Sequence, residues 1–183
     1  DNAGTFTTGA AADITAASLT QTGAGTNTIG NNITATTGNI DFATAVTLDQ
    51  GAANTITFST VAGGGDILLG STLSNANGES IDFIAGAGNV DITGAVTLGA
   101  GNITVTSATN VDFNSTVAAN DFTQVAGTGT TTFADTITLS GAFDFTGNNL
   151  TINGAGNTVT GAMTVDNAGT FTTGAAADIT AAS

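Results

Sequence analysis

Apolar side chains recur at every second position along this chain, in short bursts separated by Gly, Asn and Ala. Ile40, Phe42, Val46 and Leu48 form one burst with Asp41 and Thr47 between them, and Ile56 and Phe58 form the next among Thr55, Thr57 and Ser59. A period of two in Val, Ile, Phe and Thr predicts strands that are apolar on one side and polar on the other. Helix is disfavoured by the Gly and Thr load and by the lack of Leu, Glu and Lys blocks.

The bursts repeat. NIDFATAVTL from Asn39, NVDITGAVTL from Asn89 and NVDFNSTVAA from Asn110 are the clearest copies, and segments from Ala12, Gly65, Thr131 and Asn157 fit more loosely. Aligning their central apolar residues gives Ile14, Phe42, Ile67, Ile92, Phe113, Phe133 and Val159, with a return at Ile179. The steps are unequal, as short as Phe113 to Phe133 and as long as Ile14 to Phe42. A longer period encloses these. Residues 1–18 and 166–183 are both DNAGTFTTGAAADITAAS, an exact identity between two distant segments. Residues 1–165 therefore read as one long tandem-repeat unit of about seven coils, and residues 166–183 as the start of the next identical unit.

Short strands at this spacing fit a β-solenoid, in which each sub-repeat is one coil paired with the coils before and after it. A chain of β-sandwich modules would have longer domains and Pro or charged turn tips. The solenoid is favoured because sub-repeats align at corresponding core positions and length changes fall between bursts. The chain also has no Pro to interrupt a ladder. At about 4.8 Å between stacked strands, seven coils would advance roughly 33 Å per unit.

The repeats GNIDFATAVTL, GNVDITGAVTLGAGNITVTSATNVDF and TFTTGAAADITAASLTQTGAG resemble those of giant bacterial surface proteins of the filamentous-haemagglutinin and β-strand-repeat adhesin type. The resemblance spans essentially the whole chain. It implies an all-β, right-handed parallel β-helix, exported to the cell surface and serving as stalk, adhesin or matrix fibre. The long exact duplication and the lack of basic residues depart from that family and point to a shaft or self-assembling fibre instead of a binding head.

Composition narrows the chemistry. The chain has 39 Thr, 32 Ala, 26 Gly and 18 Asn among 183 residues, a net charge of −14, and no Lys, Arg, His, Cys, Pro, Trp or Tyr. Without Lys or Arg it cannot neutralise phosphates, which excludes nucleic acid as a partner. Without His or Cys it lacks the usual nucleophile pairs, zinc sites and disulfides. High charge and small residues also suit a disordered chain, but the 40% hydrophobic fraction and the spacing of the ten Phe oppose that. No apolar run is long enough to span a bilayer as a helix. The N-terminus lacks the order of a secretory signal, as expected of a segment from inside a longer chain. Trypsin-like proteases have no cleavage site.

Four patterns remain as candidate chemistry. Asp13, Asp41, Asp66, Asp91 and Asp112 each precede an aligned core residue, so they read as an outward ladder of carboxylates whose repulsion Ca²⁺ would relieve. The plainer alternative is that they are hydrated and keep the rod soluble. Thr47, Thr97, Thr138 and Thr164, with Thr20 and Thr72 as near equivalents, form Thr columns. With the TxT pairs Thr55/Thr57, Thr104/Thr106 and Thr170/Thr172, these resemble the ice-binding faces of some antifreeze proteins, although Thr also suits any exposed strand. Asn39, Asn89, Asn110 and Asn157 begin sub-repeats, where stacked amides can bond along the axis. The glycines of Gly63–Asp66 and Gly86–Asp91 read as turn glycines, faintly echoing a calcium-binding nonapeptide. Repeating carboxylates without basic or His partners do not make a hydrolase, so no enzyme is expected. The expected function is the shaft of an extracellular bacterial fibre or giant adhesin, its partners being adjacent repeats end to end and, in a bundle, lateral copies. The alternatives are a carbohydrate- or ice-binding adhesin module and a laterally bundling filament subunit.

Overall fold

The computed structural model describes residues 2–182, and their secondary structure is strand and turn throughout. Asp1 and Ser183, the outer ends of the two copies of the duplicated segment, lie outside the described residues.

Three short strands make one coil. In the fourth coil Leu73–Asn75 lies on face one, Ser80–Ile84 on face two and Val90–Ile92 on face three. Each strand pairs in parallel with the coil before and the coil after it: Leu73 stands between Val46 and Val96, Ile81 between Ile56 and Ile103, and Val90 between Ile67 and Val111. Eight coils of this kind stack into a β-solenoid, and Ile179–Ala182 begins a ninth on face one. In the eighth coil one strand, Asn157–Asn167, runs through the corner and serves faces one and two.

The period of two decides which side chains fill the centre. In Ile40–Phe42, Val46–Leu48, Val90–Ile92 and Val111–Phe113 the outer two residues are buried and the middle one points outward. Each coil alone could not cover its apolar residues, but the stack shares one core that runs along the axis. The largest side chains gather in it: Phe113 and Phe133 stack at 4.9 Å, Phe122 and Phe143 at 5.0 Å, and Phe122 meets Phe133 edge-on at 5.1 Å.

Length variation is confined to corners. The register step from one coil to the next is as short as Ile14 to Ile33 and as long as Ile40 to Ile67. Gly64 and Gly86 take left-handed conformations in the longer corners, where a side chain would be strained. Gly65 lies over Gly38, and Gly88 over Gly65, so closely that a Cβ would overlap the carbonyl oxygen of the preceding coil's glycine.

The coil count differs from the sequence alignment. Phe42, Ile92, Phe113 and Phe133 do share a column on face three, but the residue between Phe42 and Ile92 is Leu69, and Ile67 stands two places away opposite Ile40. Ile14 belongs to face two, and Val159 and Ile179 to face one. All three faces are written in the same Val, Ile, Phe and Thr pattern, so an alignment by pattern passes from one face to another unnoticed. The duplicated segment makes the phase explicit. Phe6 lies on face one of the first coil, opposite Asn27, whereas Phe171 lies on face three of the eighth, opposite Leu150. The offset between the two copies therefore carries the chain through seven coils and two further faces.

Candidate functional surfaces

The five Asp residues of the expected ladder occupy three kinds of place. Asp41, Asp91 and Asp112 are on one outward column of face three, which reads Thr20, Asp41, Leu68, Asp91, Asp112, Thr132. Leu68 interrupts it. Asp66 sits at the corner before face three and Asp13 at the corner before face two. Of the five, Asp91 and Asp112 alone occupy consecutive rungs. Burial, and then the charge of Asp112, push the Asp91 carboxyl above its ordinary 3.8, while the Asn114 amide, donating to it at 2.7 Å, partly opposes them. No group of three or more metal-ligating acidic side chains forms among the described residues.

Asp13 and Asp66 are instead parts of two hydrogen-bonded ladders along corners. Before face three, Asn39 Oδ1 accepts the Asp66 N–H at 2.9 Å, Asp66 Oδ1 accepts the Asn89 N–H at 2.8 Å, and Asn89 Oδ1 accepts the Asn110 N–H at 3.2 Å. Asn110 Oδ1 continues the series to the Thr130 N–H at 2.9 Å. Side-chain amides bridge the same rungs, from Asn89 to Asp66 and from Asn110 to Asn89, each at 3.0 Å. The second ladder, before face two, links Asp13 to the Asn32 N–H, Asn32 to that of Thr57, Ser80 to that of Asn102, Asn102 to that of Asp121, and Asp121 to that of Ala142. A carboxylate and an amide are interchangeable as acceptors here, which is why Asp appears among the Asn. Of the expected stack, Asn89 and Asn110 are amide-bridged neighbours, while Asp66 stands between Asn39 and Asn89. Asn157 lies elsewhere, buried on face one, where its Oδ1 accepts the Ile137 N–H.

The hydroxyl residues concentrate on face one. Its outward column contains Thr28, Thr47, Ser74, Thr97, Thr138 and Thr158, with Ala118 as the one interruption along that run. Ser74 takes the place expected of Thr72, Thr164 is on face two opposite Asp144, and Thr20 is on face three. Of the TxT pairs, Thr55/Thr57 and Thr104/Thr106 are on face two. There the register shifts beside Ile84, and the Thr106 hydroxyl donates to Asp82 at 2.8 Å. Charge is segregated accordingly. No described strand residue of face one is acidic, whereas Asp82, Asp144 and Asp166 are on strands of face two, and Asp41, Asp91 and Asp112 on strands of face three.

Three buried polar groups escaped the sequence reading. Near the N-terminal end, Gln21 and Asn27 turn inward: Gln21 Oε1 accepts from the Thr44 hydroxyl at 3.1 Å and from the Asn27 amide at 3.4 Å. In the sixth coil, Gln124 Oε1 accepts from the buried Thr131 hydroxyl at 2.7 Å. Both glutamines occupy inward positions of the alternation, the available signal. Glu79, the single Glu, is fully buried at a corner. Burial pushes its carboxyl up, but the N–H groups of Asn77, Glu79 itself and Gln50, with the Asn77 amide, outweigh it and hold the group below its ordinary 4.5.

The ends differ from the middle. Phe6, Leu19 and Gln21, with Asn2 and Thr20, line an open cavity of about 160 Å³ over the first coil. At the other end Phe171 is 43% exposed. The outer edges of the terminal strands have no neighbouring rung among the described residues. No family model, curated protein or solved structure matches the chain.

Proposed function

We propose that the chain is a shaft segment of an extracellular bacterial fibre or giant surface adhesin. The observation that supports this best is the one-dimensional build: one core runs along the stack, and corner ladders of side-chain hydrogen bonds join successive coils over much of it. The polar chemistry is also spread along columns rather than gathered at one place, as expected of a load-bearing rod with a hydrated acidic surface. Negative-stain or cryo-electron images of the native assembly test the reading. A continuous rod with an axial repeat of roughly 37 Å, from seven and two-thirds coils at about 4.8 Å each, is expected. Globular beads or a repeat far from that value would refute it.

A second reading is favoured by face one, where hydroxyls line up without charge: the segment would bind an ordered surface such as ice or a polysaccharide. Thermal hysteresis or glycan-array binding that is lost in Thr97→Asp is its expected mark, and their absence from the parent protein would end it.

A further inference from the structure

We propose that the repeat is out of phase with the coil, so that every tandem copy presents its surface turned by one face relative to the copy before. The inference rests on the shaft reading and adds to it a rule for what the sides of the fibre display. It comes from the duplicated segment. Phe6–Thr7 lies on face one and Ile14–Ala16 on face two, but the identical Phe171–Thr173 lies on face three and Ile179–Ala182 on face one. The same side chains have moved back by one face after a single repeat. The uncharged hydroxyl column of face one then passes to face three in the next copy and to face two in the one after. The pattern closes after three copies, which is twenty-three coils or roughly 110 Å.

This phase controls how rods can meet. The chain carries −14 and no basic side chain, so two rods can touch closely only along an uncharged side. Within one copy the described strands of face one carry no acidic residue, and Asp49, Asp135 and Asp178 stand only at its corners. In the next copy the same side of the rod takes the sequence of face two, with Asp82 and Asp144 on its strands. An uncharged stripe therefore ends after about one copy, roughly 37 Å, and the long, flat contact needed for lateral bundling between copies of this chain does not form. Single rods are the expected state.

Disulfide mapping tests the phase in the chain itself, which has no native cysteine. Thr151 and Thr172 are rung partners on face three, and Thr158 and Thr180 on face one, at a strand spacing that a disulfide can bridge. Oxidised Thr151→Cys/Thr172→Cys and Thr158→Cys/Thr180→Cys should each cross-link within the monomer, and Thr158→Cys/Thr172→Cys should not. Cross-linking of the last pair with failure of the first would overturn the proposal. A chain of three tandem copies with Thr97→Cys in each, labelled with gold, gives the second arm. Labels about 37 Å apart and turning by one face per copy support the inference; labels in line along one side refute it. Separate beads would refute the continuous shaft, and with it the turning surface, whatever the cross-links report about the segment's phase.

Discussion

Phe133 and Phe171 are both inward residues of face three, two coils apart, yet Phe133 is 0% exposed and Phe171 is 43% exposed. Their strands are alike. The difference is the number of neighbouring coils, two for Phe133 and one for Phe171. Burial in this fold therefore depends on the next coil, and an inward Phe is well packed in mid-stack and weakly packed where a neighbouring rung is missing among the described residues. Phe6, the copy of Phe171, makes the same point at the other end, half-buried with its ring 6.4 Å from that of Phe42.

Substitutions should separate middle from end in graded fashion. Phe133→Ala opens a cavity beneath three other Phe rings and should cost about 3–5 kcal/mol in chemical denaturation. A cost near that of an end residue would mean that the middle collapses as easily as an end. Glu79→Gln should cost about 1–2 kcal/mol at neutral pH, because several donors lose a charged acceptor. Its pH dependence has a defined sign. With the folded value of Glu79 below 4.5, its contribution is complete above 4.5 and is lost as pH falls through the folded value. The variant should lose that part of the acid transition, measured as melting temperature against pH.

Phe171→Ala should cost only about 1 kcal/mol, since much of the ring is already in water. Extending the chain past Ser183 with the next coil of the repeat should raise that cost and slow amide exchange in Phe171–Thr173. Unchanged exchange would break the comparison. Asp91→Asn should have the smallest effect, a gain of about 0.5 kcal/mol or less at neutral pH. Because the Asp91 value is raised in the fold, stability falls as pH climbs from 3.8 through that value and is level above it, and the variant should lose this slope. Added Ca²⁺ should mimic the substitution if the carboxylates share the ion, and an unchanged melting temperature with Ca²⁺ against EDTA would discard calcium.

The strands, their inward residues and the parallel stacking were legible in the alternation, because a half-buried strand must alternate. The face of each strand was not legible. Ile14, Phe42 and Val159 satisfy the same local pattern on three different faces. Corner length, which decides the face, follows from glycine conformations and close backbone approaches that leave little trace in hydropathy. The Asp residues illustrate the same limit. Asp41-Phe42 and Asp66-Ile67 look alike as dipeptides, yet Asp41 is in mid-strand pointing out and Asp66 is one residue before its strand, accepting an N–H from the next coil. The inward Gln21, Asn27 and Gln124 were hidden because their partners come from neighbouring faces and coils that the folded corners bring together.

Stacking in coils also fixes how the chain yields to force. A pull along the axis loads the rung-to-rung hydrogen bonds that join one coil to the next. Each coil that lets go replaces about 4.8 Å of rod with roughly 65–90 Å of extended chain, the shorter figure for a coil like Ile14 to Ile33 and the longer for one like Ile40 to Ile67. A segment that is short when stacked is thus a long tether under overload, lengthening more than tenfold before the covalent backbone bears the load.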